Sequence, residues 1–189
     1  FFSSYPQLEN LAIAYAFASR NGIEDDVFLQ AVRSYKPVSH RLACIAKLGK
    51  IGFWNDSKST NFASTIAAFK NFKEKIIWIG GGREKGEAIE RLAEVVPKHV
   101  SHAFLFGEVA VKLSSALRTR QVCFTVCSSL KEAVLSAFRA ATKVADILFS
   151  PGFASFDAFS DYAERGNFFE KVVFDLKNRS TQCTQECII

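Results

Sequence analysis

Two kinds of apolar segment alternate between residues 43 and 149, and this alternation restricts the fold more than any other feature. The short, strand-like runs are 43–47, 51–54, 75–79, 102–106, 121–126 and 145–149. The segments with the apolar spacing of amphipathic helices are 62–72, 86–96, 108–118 and 129–142. Strands that alternate with helices of roughly 10–15 residues are typical of a mostly parallel sheet with helices on both faces. We therefore expect an α/β, Rossmann-like fold, closed by a last helical region at about 155–176.

Two helical patterns precede the alternating region. Residues 8–20 have helical apolar spacing, and Asn21-Gly22 is a typical helix stop. Residues 24–34 begin with acidic side chains, which favour a helix amino terminus, and Pro37 ends this region. Because this αα segment contains no strand, we interpret it as part of a separate domain.

These patterns predict three parts of the chain. We expect the αα segment to end at residue 39 and the α/β domain to begin at residue 40. The polar end of the chain lacks an apolar face, and we expect it to be loosely ordered. The predicted parts are 1–39, 40–177 and 178–189.

Composition excludes several classes of function. The net charge is +5, but the positive residues are scattered and form no basic stripe, so we expect no nucleic-acid partner. A small phosphate-bearing ligand explains this excess of positive charge better. No apolar run is long enough to cross a membrane, and the five cysteines form no CxxC pair of the kind that binds zinc. We expect a cytoplasmic protein without a membrane partner.

Polar loops follow three of the predicted strands. The loop Asn55–Asn61 combines an acid, a base, three hydroxyls and two amides. The other two loops are Gly80–Gly86 and Ser150–Ser155. Because the carboxyl ends of parallel strands lie at one edge of a sheet, we expect these loops to converge on one ligand.

Structural roles alone could also explain parts of these loops. The glycine loop matches neither the P-loop nor G-x-G-x-x-G, and it could simply be a tight turn with a solvated lysine. Ser155 could cap the following helix, and Asn55 and Asn61 are interpreted as loop and cap residues. His40 could be a solvated linker residue. No histidine lies near the serines in sequence, which argues against a Ser–His–acid triad.

Four blocks resemble the C-terminal part of the Mur ligases of peptidoglycan synthesis, most closely the members that add D-glutamate. Their order and spacing match over residues 40–177. The blocks are His40-Arg41-Leu42, Asn55-Asp56-Ser57-Lys58-Ser59-Thr60-Asn61, Gly81-Gly82-Arg83-Glu84-Lys85-Gly86, and Ser150-Pro151-Gly152-Phe153-Ala154-Ser155-Phe156-Asp157 with Glu164-Arg165-Gly166.

The resemblance implies a three-domain, ATP-dependent, amide-forming ligase. In that family ATP phosphorylates the carboxylate of UDP-N-acetylmuramoyl-L-alanine, and the amine of D-glutamate attacks the acyl phosphate. The P-loop and most ligands of Mg²⁺ belong to the central domain, so we expect this chain to be inactive alone. Residues 1–39 would be the last helices of that central domain, and a hinge near 36–41 would let the α/β domain close onto it.

The resemblance also implies roles for individual residues. Nucleotide contacts are implied for Asn10, Arg41, Asp56 and Lys58. Lys58 is in addition the catalytic candidate, because it would reach toward the phosphates. The D-glutamate pocket is implied for Thr60, Lys85, Ser155 and Tyr162. No residue of this chain is implied as a metal ligand.

Several positions depart from the family pattern. Pro6 and Gln7 replace polar residues of the nucleotide side, and Ala43 stands where an acid is usual. Glu84 replaces Asp, and Tyr162 replaces a common Phe. The alternatives are another Mur-type ligase, folylpolyglutamate synthase, or a non-catalytic Rossmann-like module that binds a metabolite or a nucleotide.

Overall fold

The computed structural model describes residues 5–141 and 144–186, with side chains as far as residue 179. The chain divides into two compact units, Phe1–Ser39 and His40–Ile189. The first unit contains helices α1 (Gln7–Arg20) and α2 (Asp25–Ser34).

The two helices of the first unit are joined by the turn that the sequence predicted. Gly22 has a φ of 74°, the left-handed conformation that glycine adopts without steric cost. The Tyr15 hydroxyl donates a hydrogen bond to Asp25 over 2.9 Å, and the Tyr15 ring packs against Phe28. The α1–α2 pair is therefore held by local contacts.

The second unit is an α/β domain. In chain order its elements are β1 (Ala43–Leu48), β2 (Ile51–Asn55), α3 (Phe62–Phe69), β3 (Ile76–Gly81), α4 (Ile89–His99), β4 (Val100–Phe106), α5 (Ala110–Arg118), β5 (Phe124–Val126), α6 (Leu130–Ala140), β6 (Ala145–Gly152) and α7 (Tyr162–Glu186). The strand order in the sheet is β1-β2-β6-β3-β4-β5. Only β1 is antiparallel to its neighbour; the other pairs are parallel. The predicted fold class is confirmed.

Helices cover both faces of this sheet, because successive strand residues point to opposite sides. In β6, Leu148 packs with α3, α4 and α5 on one face, whereas Ile147 and Phe149 pack with α6 and α7 on the other. Each face has its own buried apolar cluster. The central strand β6 is thus packed on both sides, which fixes the loop at its end.

The last helix differs from the sequence-based expectation at both ends. It begins at Tyr162 rather than near residue 155, because the Asp161 carboxylate accepts a hydrogen bond from the Glu164 N–H and caps the helix there. It continues to Glu186, whereas the polar end of the chain was expected to be loosely ordered. Residues 178–186 contain no Gly or Pro, so nothing in the sequence stops an anchored helix from continuing.

None of the helices in the described part of the chain combines the length and the apolar character that crossing a membrane requires.

Candidate functional site

The three polar loops converge at one edge of the sheet, because β2, β6 and β3 are adjacent strands. The Gly152 N–H donates to the Ser59 carbonyl over 2.9 Å and thereby joins the β6 loop to the β2 loop. Arg83 and Ala154 exchange two backbone hydrogen bonds of 2.9 and 3.1 Å, which join the β3 loop to the β6 loop. The loops therefore meet at one edge as predicted, and their shared ligand stays a prediction.

Asp56 is a buried hub of the β2 loop, with only 3% of its surface exposed. Its carboxylate accepts hydrogen bonds from the Ser150 hydroxyl over 2.7 Å, from the Leu42 N–H over 3.0 Å and from the Ser59 hydroxyl. Burial raises the pKa of Asp56 to about 6, although these hydrogen bonds and the Arg41 charge oppose the shift. Asp56 therefore connects the segment before β1 and the loop after β2 to the end of β6.

Lys58 and Tyr162 form a pair at the same edge. The Lys58 ammonium lies 3.5 Å from the Tyr162 hydroxyl and 4.9 Å from the centre of its ring. The Lys58 N–H donates to the His40 carbonyl over 3.0 Å. The structure thus brings together one residue assigned to the nucleotide and one assigned to D-glutamate.

Thr60 lies beside the backbone bond that joins the β2 and β6 loops, and Ser155 lies beside the backbone bonds that join the β3 and β6 loops. Thr60 is half-buried and follows Ser59, while Ser155 is buried and follows Ala154. Ser155 does not cap α7, because Asp161 has that role. Within the described residues the Ser155 hydroxyl forms no hydrogen bond, and this leaves it available for a ligand.

The glycine loop presents one cation that has no protein partner in the described structure. Arg83 forms an ion pair with Glu108, and Glu84 forms one with Lys112. Lys85 is exposed and makes no ion pair or hydrogen bond with any described residue. The two side chains before Lys85 are thus neutralised, whereas the Lys85 charge remains available to an anion.

His40 is buried, so the interpretation of a solvated linker residue is wrong. Its Nδ1 lies 2.9 Å from the Asn55 amide nitrogen and 3.2 Å from the Glu170 carboxylate. Both His40 and Leu42 have left-handed φ values, 59° and 48°, and Arg41 lies between them, half-buried and close to Asp56. This backbone conformation is costly for residues with a side chain, which points to a constraint on where Arg41 lies.

Asn10, the remaining sequence-predicted residue, is exposed on α1 in the first unit. Its backbone N–H donates to the Pro6 carbonyl over 3.0 Å. Its assignment to the nucleotide stays a prediction.

Sequence reasoning gave no site role to Asn55 or Arg165. Asn55 is buried, and its amide nitrogen lies 3.1 Å from the Gly166 carbonyl and 2.8 Å from the Glu170 carboxylate. Arg165 is fully buried and bonds to the loops after β2 and β6. One sequence signal existed for Arg165, since it lies four residues before Phe169 on the apolar side of α7.

The described residues do not form a metal site by themselves. Among them there is no group of three or more His, Cys, Asp or Glu side chains that could hold a metal ion. We therefore assign no metal ligand to this part of the chain.

No family model matches the chain. Over 170 residues it is 38% identical to the UDP-N-acetylmuramoylalanine–D-glutamate ligase of Caldicellulosiruptor bescii, a match over 89% of this chain and 37% of that ligase. The chain spans 37–38% of the length of the first such relatives.

Solved structures show the same fold. The UDP-N-acetylmuramate–alanine ligase of Thermotoga maritima matches 91% of this chain and 38% of its own, with a TM-score of 0.67 at 11% identity. The MurF ligase of Thermotoga maritima in complex with ADP matches 89% of this chain and 39% of its own, with a TM-score of 0.57 at 17% identity. Together with the sequence identity to the D-glutamate ligases, these matches show that this chain belongs to the Mur ligase family.

Proposed function

We propose that this chain is the amino-acid-binding part of an ATP-dependent ligase that joins D-glutamate to UDP-N-acetylmuramoyl-L-alanine. The observation that carries the proposal is the exposed Lys85, two residues after Arg83, whose backbone bonds to Ala154 in the loop that contains Ser155. The names of the relatives support D-glutamate as the amino acid.

The chemistry of the substrate suits these residues. A dicarboxylate needs a cation and hydrogen-bond donors, since carboxylate oxygens without partners are costly to desolvate. Lys85 supplies the cation, and the hydroxyls of Thr60, Ser155 and Tyr162 supply donors. The substrate amine then stays free to attack the acyl phosphate.

The nucleotide side of the proposal rests on Arg41 and Lys58. Both are cations on the segments that Asp56 and His40 hold at this edge, so both could contact phosphate oxygens of ATP. We propose that the main role of Asp56 is to hold Leu42, and with it Arg41, in place. Asn10 would contact the nucleotide from the first unit. Because the reaction consumes ATP, we propose the cytoplasm as the compartment.

A chimera tests this function. The 170 residues of the Caldicellulosiruptor bescii ligase that align with this chain would be replaced by the corresponding residues of this chain. With ATP, Mg²⁺ and UDP-N-acetylmuramoyl-L-alanine present, we expect phosphate release to depend on D-glutamate. Phosphate release that is indifferent to D-glutamate, or stimulated equally by other amino acids, would contradict the proposal.

Lys85→Ala in the same chimera tests the pocket. We expect the KM for D-glutamate to rise at least about tenfold, because loss of a charge-assisted contact of 1.5–3 kcal/mol changes binding by about that factor or more. Lys75→Ala is the matched control, since Lys75 is an exposed lysine just before β3, at the opposite edge of the sheet. An equal effect of both substitutions would remove Lys85 from the pocket.

A further inference from the structure

Arg165 is a buried cation in the first turn of α7. None of its surface is exposed, and burial lowers the pKa of its guanidinium to about 10, so it is still charged at neutral pH. Its Nε donates to the Ser57 hydroxyl over 3.1 Å, and its Nη2 donates to the Ser57 carbonyl over 2.9 Å. Its Nη1 donates to the Phe153 carbonyl over 3.0 Å. One planar group thus spans two loops.

We propose that Arg165 is a positioning residue that sets the separation of Lys58 and Ser155; this rests on the function proposed above. Ser57 directly precedes Lys58, and Phe153 lies two residues before Ser155. Because the guanidinium is rigid and its donors point in fixed directions, it fixes the two carbonyls relative to each other. The nucleotide-side lysine and the amino-acid-side hydroxyl are then held at a constant spacing.

The cost of burying Arg165 argues against a role in stability alone. Within the described residues its guanidinium forms no hydrogen bond to a carboxylate, although the Asp157 charge partly offsets the lowering of its pKa by burial. A buried charge usually stabilises a fold less than a well-packed apolar side chain of similar volume. Arg165 donates hydrogen bonds to both loops, and an apolar side chain could not make these bonds.

Neighbouring contacts support the same arrangement. The Tyr162 carbonyl, one turn before Arg165, accepts a hydrogen bond of 2.8 Å from the Ser57 hydroxyl. On the third loop, a side chain at Gly82 would come within 3.2 Å of the Arg165 Nη1. The start of α7 therefore lies close to all three loops.

Hydrogen exchange of the 189-residue chain separates positioning from general stability. Arg165→Met keeps an apolar stem without the donors, and Arg165→Lys keeps the charge without the planar group. The control is Phe169→Leu, one turn later on α7, where the side chain packs on Phe149 and has no polar group that could bond to the loops. The reporters are the Lys58 and Gly152 amides, which bond to the neighbouring segments, with Ile79 in β3 as the reference.

We expect both Arg165 variants to accelerate exchange at Lys58 and Gly152 at least tenfold relative to Ile79. Phe169→Leu should accelerate all three amides together. If either Arg165 variant behaves like Phe169→Leu or like the unsubstituted chain, the proposal is overturned.

The chimera gives a second readout of positioning. There, Arg165→Met should lower kcat and raise the KM for D-glutamate, while Phe169→Leu should leave both near the unsubstituted values at a temperature where it is folded. A chimera that lacks D-glutamate-dependent activity would overturn the proposed function, whereas the exchange rates would still decide whether Arg165 positions the loops.

Discussion

The loops after β2 and β6 and the loop after β3 meet at one sheet edge, but their side chains form different kinds of contact. Asp56 and Arg165 join the first two loops through buried hydrogen bonds. The side chains of Arg83 and Glu84 in the third loop form ion pairs at the surface. Buried polar groups fix one geometry because unpaired states are costly, whereas surface pairs allow adjustment.

This difference matches the tasks proposed for the two regions. Lys58 and Ser155, on the first two loops, must keep a fixed spacing if two reacting substrates are to meet. Lys85, on the third loop, need only neutralise a carboxylate, which a mobile side chain can do.

Gly82→Ala should disrupt the contact between the loop after β3 and the loop after β6. Gly82 has a φ of 134°, and an added Cβ would lie 2.2 Å from the Ala154 carbonyl oxygen, a backbone atom that cannot easily move away. We expect the free energy of unfolding to fall by about 3 kcal/mol or more, measured by urea denaturation.

The matched control is Gly86→Ala, at the far end of the same loop. Gly86 also has a positive φ, 84°, but an added Cβ would meet nothing within 4 Å. Only the backbone cost of about 1 kcal/mol should remain. Equal losses for both variants would mean that the loop is uniformly held, contrary to the contrast drawn above.

Asp56→Asn should change how stability depends on pH. The pKa of Asp56 is raised from 3.8 to about 6 by burial, so ionisation disfavours the folded state. Below pH 3.8 this cost is absent; as the pH rises through 3.8 to 6, the unfolded chain ionises first and stability is lost. At about 1.4 kcal/mol per pKa unit, the loss is roughly 3 kcal/mol.

Urea denaturation of both proteins at pH 4 and pH 7 measures this effect, with the wild type expected to lose more stability than Asp56→Asn over that interval. Because the asparagine at position 56 cannot titrate, the pH dependence of the variant measures the contribution of all other groups. The interpretation of Asp56 as a buried hub fails if both proteins lose the same amount.

Arg83→Met should have the smallest effect on stability. Its guanidinium forms an exposed pair with Glu108, and such pairs are weak and screened by salt. We expect a small decrease in the urea midpoint at low ionic strength that disappears near 1 M NaCl. A decrease that persists in high salt would place a buried interaction in the third loop.

The sequence predicted the sheet and the convergence of the loops because both follow from local patterns. Strand-like runs separated by helical segments imply parallel strands, and parallel strands bring the loops after them to one edge. The Asn61 cap was predicted for a similar reason, and its side chain accepts the Ser64 N–H over 2.9 Å.

Long-range contacts were not predictable in this way. Asn55 and Arg165 are 110 residues apart in sequence, and each bonds to partners on the other's segment. Residue type alone suggests that an arginine is exposed. The apolar positions after Arg165 in α7 are a signal for burial that was not used, and they do not indicate which loops its donors reach.

The position of β6 in the sheet has a consequence for how the protein is made. β2 and β3 lie on either side of β6 and contact it rather than each other, yet β6 is synthesised after the other five described strands. A nascent chain that ends before residue 145 therefore has two unpaired strand edges and a divided core, a state prone to association with other chains. The sheet edge that carries the three loops forms only after β6 has been synthesised and has inserted between β2 and β3. The proposed site therefore cannot form earlier in translation.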